Sequence, residues 1–157
     1  MPSVPRTRPR TPRDKRRVAH LFFYGVLLAD VASARIAAML NGLGPGRAAT
    51  ATGVLYAVPD PRGWYPVLLP GDGEVHGMVH EAGTVDIAGL DRFEGVDPRE
   101  PRAGEYRREA VPVSVGETTF EAQAYLYNRD PALGFAHIAH GDFARWLRET
   151  GNSPLAG

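Results

Sequence analysis

The chain predicts an α+β fold in which several short strands close on themselves as a small barrel. Two observations lead there. Among its 157 residues, 14 prolines and 18 glycines cut the chain into short elements, which disfavours a helical bundle. The apolar runs between those breaks are mostly strand-like, β-branched or aromatic, and are joined by turns of a few residues, with helical spacing confined to three segments.

The first element is the aromatic run Leu21-Phe22-Phe23-Tyr24, which meets Gly25 and continues as Val26-Leu27-Leu28. This reads as a buried strand ending in a tight turn. Gly25 opens backbone conformations closed to other residues, and the amides of the next two or three residues are then expected to be unpaired and to point one way, as in a turn that holds an anion or oxyanion. A strand followed by a glycine turn is also a plain structural feature, so a functional reading needs a second element.

Asp30 caps a helix over roughly Val31–Leu40, which Asn41-Gly42 closes. Gly42, Gly44 and Gly46 follow a helix instead of joining a strand to one, so they form a turn and not a dinucleotide cradle. Three strands then make a meander: Ala49–Val58, a turn at Pro59–Gly63, Tyr65–Leu69, a second turn at Pro70–Gly73, and Glu74–His80. Thr84 caps a short helix from Val85 to about Phe93 or Glu94, with Gly95 as its stop. A polar loop, Asp97–Gly104, leads into the hairpin of Tyr106–Val115 and Thr118–Asn128 around Gly116-Glu117. The last helix starts near Asp142, buries Phe143, Trp146 and Leu147 on one face, and ends at Gly151.

Charge is unevenly spread. Residues 1–17 hold seven Lys and Arg against Asp14 and almost nothing apolar, so a disordered basic arm is expected, with a single domain over 18–157. The remainder carries 11 basic and 17 acidic side chains and lacks the clustered basic surface of a nucleic-acid binder. No nucleic-acid partner is expected. Arg16 and Arg17 ahead of the apolar run, with Ala32-Ser33-Ala34 beyond it, imitate an export signal. The run is short and aromatic where signal cores favour Leu and Ala, and cleavage would remove the glycine turn, so a cytoplasmic location is expected. No stretch approaches the ~18 apolar residues of a membrane span. The absence of cysteine excludes disulfides, thiolate metal sites, iron–sulfur clusters and a cysteine nucleophile. The pairs His76/His80 and His137/His140 are spaced to share a strand face and a helix face, but neither has an evident third ligand, so no metal and no cofactor are expected. The oligomeric state is left open.

The second element is Glu94. Ile87, Leu90 and Glu94 fall on one stripe of the short helix, which points an acid toward the core. Burial and the negative end of the helix dipole would both raise its pKa toward neutrality, suiting it to accept and then return a proton. The alternative is a Glu at a frayed helix end that bends back to solvent. Asp91 is expected on the surface.

Taken in order, the motifs resemble the gamma-glutamylcyclotransferase-like family, especially its gamma-glutamylamine cyclotransferase and AIG2-like branch. They are Tyr24-Gly25-Val26-Leu27, Gly63-Trp64-Tyr65-Pro66, Val75-His76-Gly77, Leu90-Asp91-Arg92-Phe93-Glu94-Gly95, Tyr106-Arg107-Arg108 before Val111-Pro112-Val113, and Gly141-Asp142-Phe143. The resemblance spans Leu21–Leu147. It implies a small mixed β-barrel with flanking short helices, a substrate cavity at the turn after the first strand, and Glu94 as the catalytic acid/base. In the implied reaction the α-amine of a small gamma-glutamyl amide attacks its own side-chain carbonyl, closing 5-oxoproline and expelling an amine. The nucleophile belongs to the substrate, so the protein supplies only proton transfer and donors for the carboxylate or oxyanion. The amides of Gly25, Val26 and Leu27 suit the donor role. Tyr24 and Tyr106 either wall the cavity and donate a hydroxyl hydrogen bond or are ordinary barrel core. Val26 stands where the family has Ser or Thr, which keeps a backbone donor and loses a hydroxyl. A silent binding protein of the same fold is the alternative reading.

Overall fold

A computed structural model describes residues 19–25 and 38–155. The expected basic arm, Val26, Leu27 and all but the end of the helix over Val31–Leu40 lie outside the described residues. Those described form β1 (His20–Phe23), β2 (Gly46–Asp60), β3 (Gly63–Glu81), α1 (Ile87–Phe93), β4 (Tyr106–Val115), β5 (Thr118–Tyr127), a two-residue β6 (Ala136–His137) and α2 (Phe143–Thr150).

Five strands close a mixed barrel. β1 runs antiparallel to β3 and parallel to β5; β5 pairs with β4, β4 with β2, and β2 with β3. The parallel contact is the shortest seam, with Leu21 opposite Gln123. β6 joins β2 through Tyr56–His137 and Ala57–Ala136.

The expected three-stranded meander is a long two-stranded hairpin instead. β3 runs unbroken through Pro70-Gly71-Asp72-Gly73, which bulges opposite Gly53, so that Val54 faces Leu69 while Thr52 faces Glu74. Glycine permits the close approach: a Cβ on Gly53 would lie 2.6 Å from Leu68 Cδ1, and one on Gly71 would collide with Val54 Cγ2. Such a bulge bends and twists both strands, which a sheet must do to close. The turn signal in Pro70–Gly73 was thus a bend within a strand.

Strand alternation sorts the apolar residues into two layers. Phe22, Ala49, Ala51, Leu55, Leu68, Val75, Val113 and Ala124 share the face buried on all five strands, the barrel interior, and Phe143 of α2 joins them with 2% exposure. The opposite face presents Leu21, Phe23, Val67, Tyr106, Tyr125 and Tyr127, against which α1 packs Leu90 at 0% exposure. The five alanines of the first layer, Ala49, Ala51, Ala57, Ala122 and Ala124, let strands from opposite walls approach around the rings of Phe22 and Phe143.

Helix α1 starts two residues later than the sequence suggests. Thr84 donates its amide to the Gly42 carbonyl at 3.1 Å and Val85 closes a turn on Ala82, so the chain is not free to turn helical before Asp86. Asp86 is therefore the cap, its Oδ1 accepting from the Gly89 amide at 3.0 Å. Asp142 caps α2 as expected, accepting from the Arg145 amide at 3.0 Å, and Gly151 ends it at φ 74°. Among the described residues no helix is long and apolar enough to cross a membrane.

Candidate active site

Glu94 closes α1. Its amide donates to the Leu90 carbonyl at 2.9 Å, and Gly95 at φ 74° reverses the chain immediately after it. Because Leu90 on the same stripe is fully buried, the Glu94 side chain is drawn against the barrel wall and is itself half-buried. Burial raises its pKa to about 7, with the charges of Glu105 and then Asp91 adding to it.

Three tyrosines face that acid. Tyr24, just past β1, donates its hydroxyl to the Tyr125 carbonyl. Burial and then the charge of Glu94 hold its pKa well above the ordinary value, against the pull of the Leu68 amide. Tyr106 on β4 is 7% exposed, with its ring edge-on to Tyr127 at 5.6 Å, and is raised by burial ahead of Tyr24 and Glu94. Tyr125 on β5 donates its hydroxyl to Asp91 Oδ1 at 2.7 Å. All three are neutral hydroxyls near pH 7, and that of Tyr24 is committed to the barrel backbone, which makes its ring a wall. The charge of Glu94 thus reaches Tyr24, Tyr106 and Tyr125; Tyr125 is not among the residues the sequence singles out, although it alternates with inward-facing Ala124 and Leu126.

Gly25 follows Tyr24 but does not adopt a positive φ. Its requirement for glycine is one of space: a Cβ would lie 2.8 Å from the ring Cγ of Pro66 on β3.

Asp91 is not a free surface acid. Its carboxylate accepts from Arg108 Nε at 2.9 Å and Nη2 at 3.3 Å, besides the Tyr125 hydroxyl, and so fastens α1 to β4 and β5. A second fastening holds the loop after Glu94. Arg107, 4% exposed, donates to Asn128 Oδ1 at 2.7 Å and to Glu109 Oε2 at 2.6 Å. Asn128 Nδ2 donates in turn to the carbonyls of Pro101 at 2.6 Å and Gly104 at 2.9 Å.

The profile of the family described as "Gamma-glutamyl cyclotransferase, AIG2-like" matches residues 21–145, every element described above from Leu21 into α2. The chain belongs to that family. It is 35% identical over 85 residues to the gamma-glutamylcyclotransferase family protein YtfP of Escherichia coli (strain K12), a match covering 54% of this chain and 63% of that protein, less than two thirds of its length. Among solved structures, the fold is similar to PH0828 of Pyrococcus horikoshii, with TM-score 0.56, 20% identity, and coverage of 85% of this chain and 96% of that one. It is also similar to YkqA of Bacillus subtilis, with TM-score 0.58, 19% identity, and coverage of 86% and 43%.

Two other features of this AIG2-like chain compete for notice. A concavity of about 720 Å³ opens beside Tyr24 and Gly25, bounded by Thr50, His76, Met78 and Phe143, and Glu94 does not line it. It opens at the turn after β1, where a substrate cavity is expected, and it shares Tyr24 and Gly25 with the candidate site. The histidine pairs are separately engaged: His80 Nδ1 lies 3.0 Å from the Gly44 carbonyl, the His137 ring packs on Tyr56, and His140 pairs with Glu149. Among the described residues no three His, Asp or Glu side chains gather as a metal site.

Proposed function

We propose that the protein is a gamma-glutamyl cyclotransferase that releases 5-oxoproline and a free amine from a gamma-glutamyl amide, with Glu94 as general base and acid. The observation that carries this reading is the half-buried Glu94 carboxyl at the end of α1, within the residues that match the family, whose pKa burial raises to about 7. A carboxylate of that strength takes a proton from the substrate ammonium and, once protonated, gives it up near neutral pH. The freed amine attacks the side-chain carbonyl carbon, Glu94 delivers its first proton to the leaving nitrogen as the bond to that carbon breaks, and the further proton lost by the ring nitrogen passes through the regenerated Glu94 carboxylate to the expelled amine. Protons balance, since the α-ammonium is consumed and the expelled amine leaves as an ammonium. Tyr24 and Tyr106 are the proposed walls of the substrate site beside Glu94, and the amides of Gly25, Val26 and Leu27 are the proposed donors for the substrate carboxylate or oxyanion.

The second reading is a silent binding protein of this fold, favoured by Val26 in place of a hydroxyl residue. A panel of gamma-glutamyl amines, gamma-glutamyl peptides and gamma-glutamyl-lysine, assayed for 5-oxoproline, separates the two. Turnover of at least one is expected; binding without release by every member gives the silent reading the lead.

A further inference from the structure

We propose that Glu105 is a positioning residue of this site: a loop clamp holds it beside Glu94, and its charge sets how readily Glu94 takes up and returns a proton. The inference deepens the function proposed above and rests on that reading for its catalytic meaning. The geometry begins at Gly95, whose carbonyl accepts from the Glu105 amide at 3.1 Å, so the chain returns to its starting point after a ten-residue excursion. A Cβ on Gly95 would stand 3.5 Å from Glu105 Cβ, and one on Gly104 would strike the Gly95 carbonyl. The loop between them is internally braced by Asp97 Oδ1, which accepts from the Arg99 amide at 2.9 Å and the Glu100 amide at 3.0 Å. From the barrel, the Asn128 amide donates to the Glu105 carbonyl at 3.0 Å while the Asn128 side chain holds Pro101 and Gly104. Arg107, the one charged residue buried among those described, fixes Asn128 in turn. An arginine buried in the barrel thus ends up fixing where a loop acid sits.

That arrangement matters because the charges around Glu94 are unequal. Asp91, on its own helix, is offset by the Arg108 guanidinium and the Tyr125 hydroxyl. Glu105 forms no ion pair among the described residues. Tyr24 from the end of β1, Tyr106 from β4 and Tyr125 from β5 face Glu94 as neutral groups. Of the charges that bear on it, the unbalanced one is Glu105, which ranks ahead of Asp91 and also bears on Tyr65 and Tyr106. A like charge in a half-dry site disfavours the ionised form of its neighbour.

The test is a direct titration of Glu94 by the 13Cδ resonance of 13C-glutamate-labelled full-length protein, assigned by its loss in Glu94→Gln. In Glu105→Gln the Glu94 midpoint is expected to fall by roughly one unit, the worth of a like charge several ångströms away at intermediate dielectric. In Glu105→Asp, which keeps the charge, it is expected to stay nearer the wild-type value. An unchanged midpoint in Glu105→Gln overturns the proposal, and so does an equal fall in both variants, which would assign the effect to shape. Because the titration uses protein without substrate, it is decided separately from 5-oxoproline release. A protein that turns nothing over but shows the shift loses the proposed function and keeps the coupling.

Discussion

Glu94→Gln keeps the volume and hydrogen-bonding reach of the side chain and removes its ability to exchange a proton. Turnover is expected to drop roughly 10²–10⁴-fold, the usual worth of a positioned acid or base, and the acid limb of the wild-type rate, with an apparent pKa of about 7, is expected to vanish. Stability moves in the opposite direction. Between an unfolded value of 4.5 and a folded value of about 7 the native state binds more protons than the unfolded one, so this group's contribution falls as pH rises through that window. The loss is at most roughly 3 kcal/mol. Thermal melts should therefore show Glu94→Gln more stable than wild type at pH 8, with the gap closing near pH 5; a variant less stable at pH 8 would mean that the ionised carboxylate is held by a favourable contact. Gly25 poses a different residue-level question, since its constraint is the ring of Pro66 and not its own φ. Gly25→Ala is expected to cost about 1–3 kcal/mol by overpacking, and Pro66→Ala in the same chain to return part of it. Additive losses in a double-mutant cycle would put the constraint elsewhere.

At the scale of elements, α1 is seven residues long and too short to hold itself, so its attachment decides where Glu94 lies. Leu90 supplies the apolar part and Asp91 the directional part, through Arg108 and Tyr125. Asp91→Asn keeps an acceptor for Tyr125 but loses the charged pairing. It is expected to destabilise by about 1–2 kcal/mol and to reduce turnover with the Glu94 limb still present, as measured by denaturant midpoints and a pH–rate profile. The helix, its stripe and its glycine stop were all legible because they depend on neighbours three and four residues apart. The hairpin around Gly116, where φ is 59°, and the Asp142 cap were legible for the same reason. What sequence spacing misplaced was set by distant partners. Thr84 looks like a cap until the Gly42 loop takes its amide, Pro70–Gly73 looks like a turn until Gly53 makes room for a bulge, and Asp91 looks exposed until β4 brings Arg108. Glu105 gave no signal at all, since its proximity to Glu94 comes from a loop closed by Asn128, 23 residues further on.

At the scale of the molecule, barrel closure joins segments of very different separation. β2 and β3 meet across the two residues Pro61-Arg62, and β4 and β5 across Gly116-Glu117, whereas Leu21 meets Gln123 only after a hundred intervening residues. Loop-closure entropy makes the two hairpins the early structure and the β1 seam the late one. Phe22 sits at that seam and is 1% exposed among residues from every other strand, so its ring finds its full set of partners only when the barrel shuts. Phe22→Leu is accordingly expected to speed unfolding with little change in the folding rate, a φ-value near 0–0.3. Leu55→Ala, inside the β2–β3 hairpin and equally buried, is expected to slow folding and return a higher φ-value. Stopped-flow chevrons of the two variants decide the order. Because Tyr24 and Gly25 directly follow β1, the candidate site would be completed only in the last step of folding, and a Phe22→Leu protein that folds as slowly as Leu55→Ala would place β1 in the nucleus and reverse that sequence.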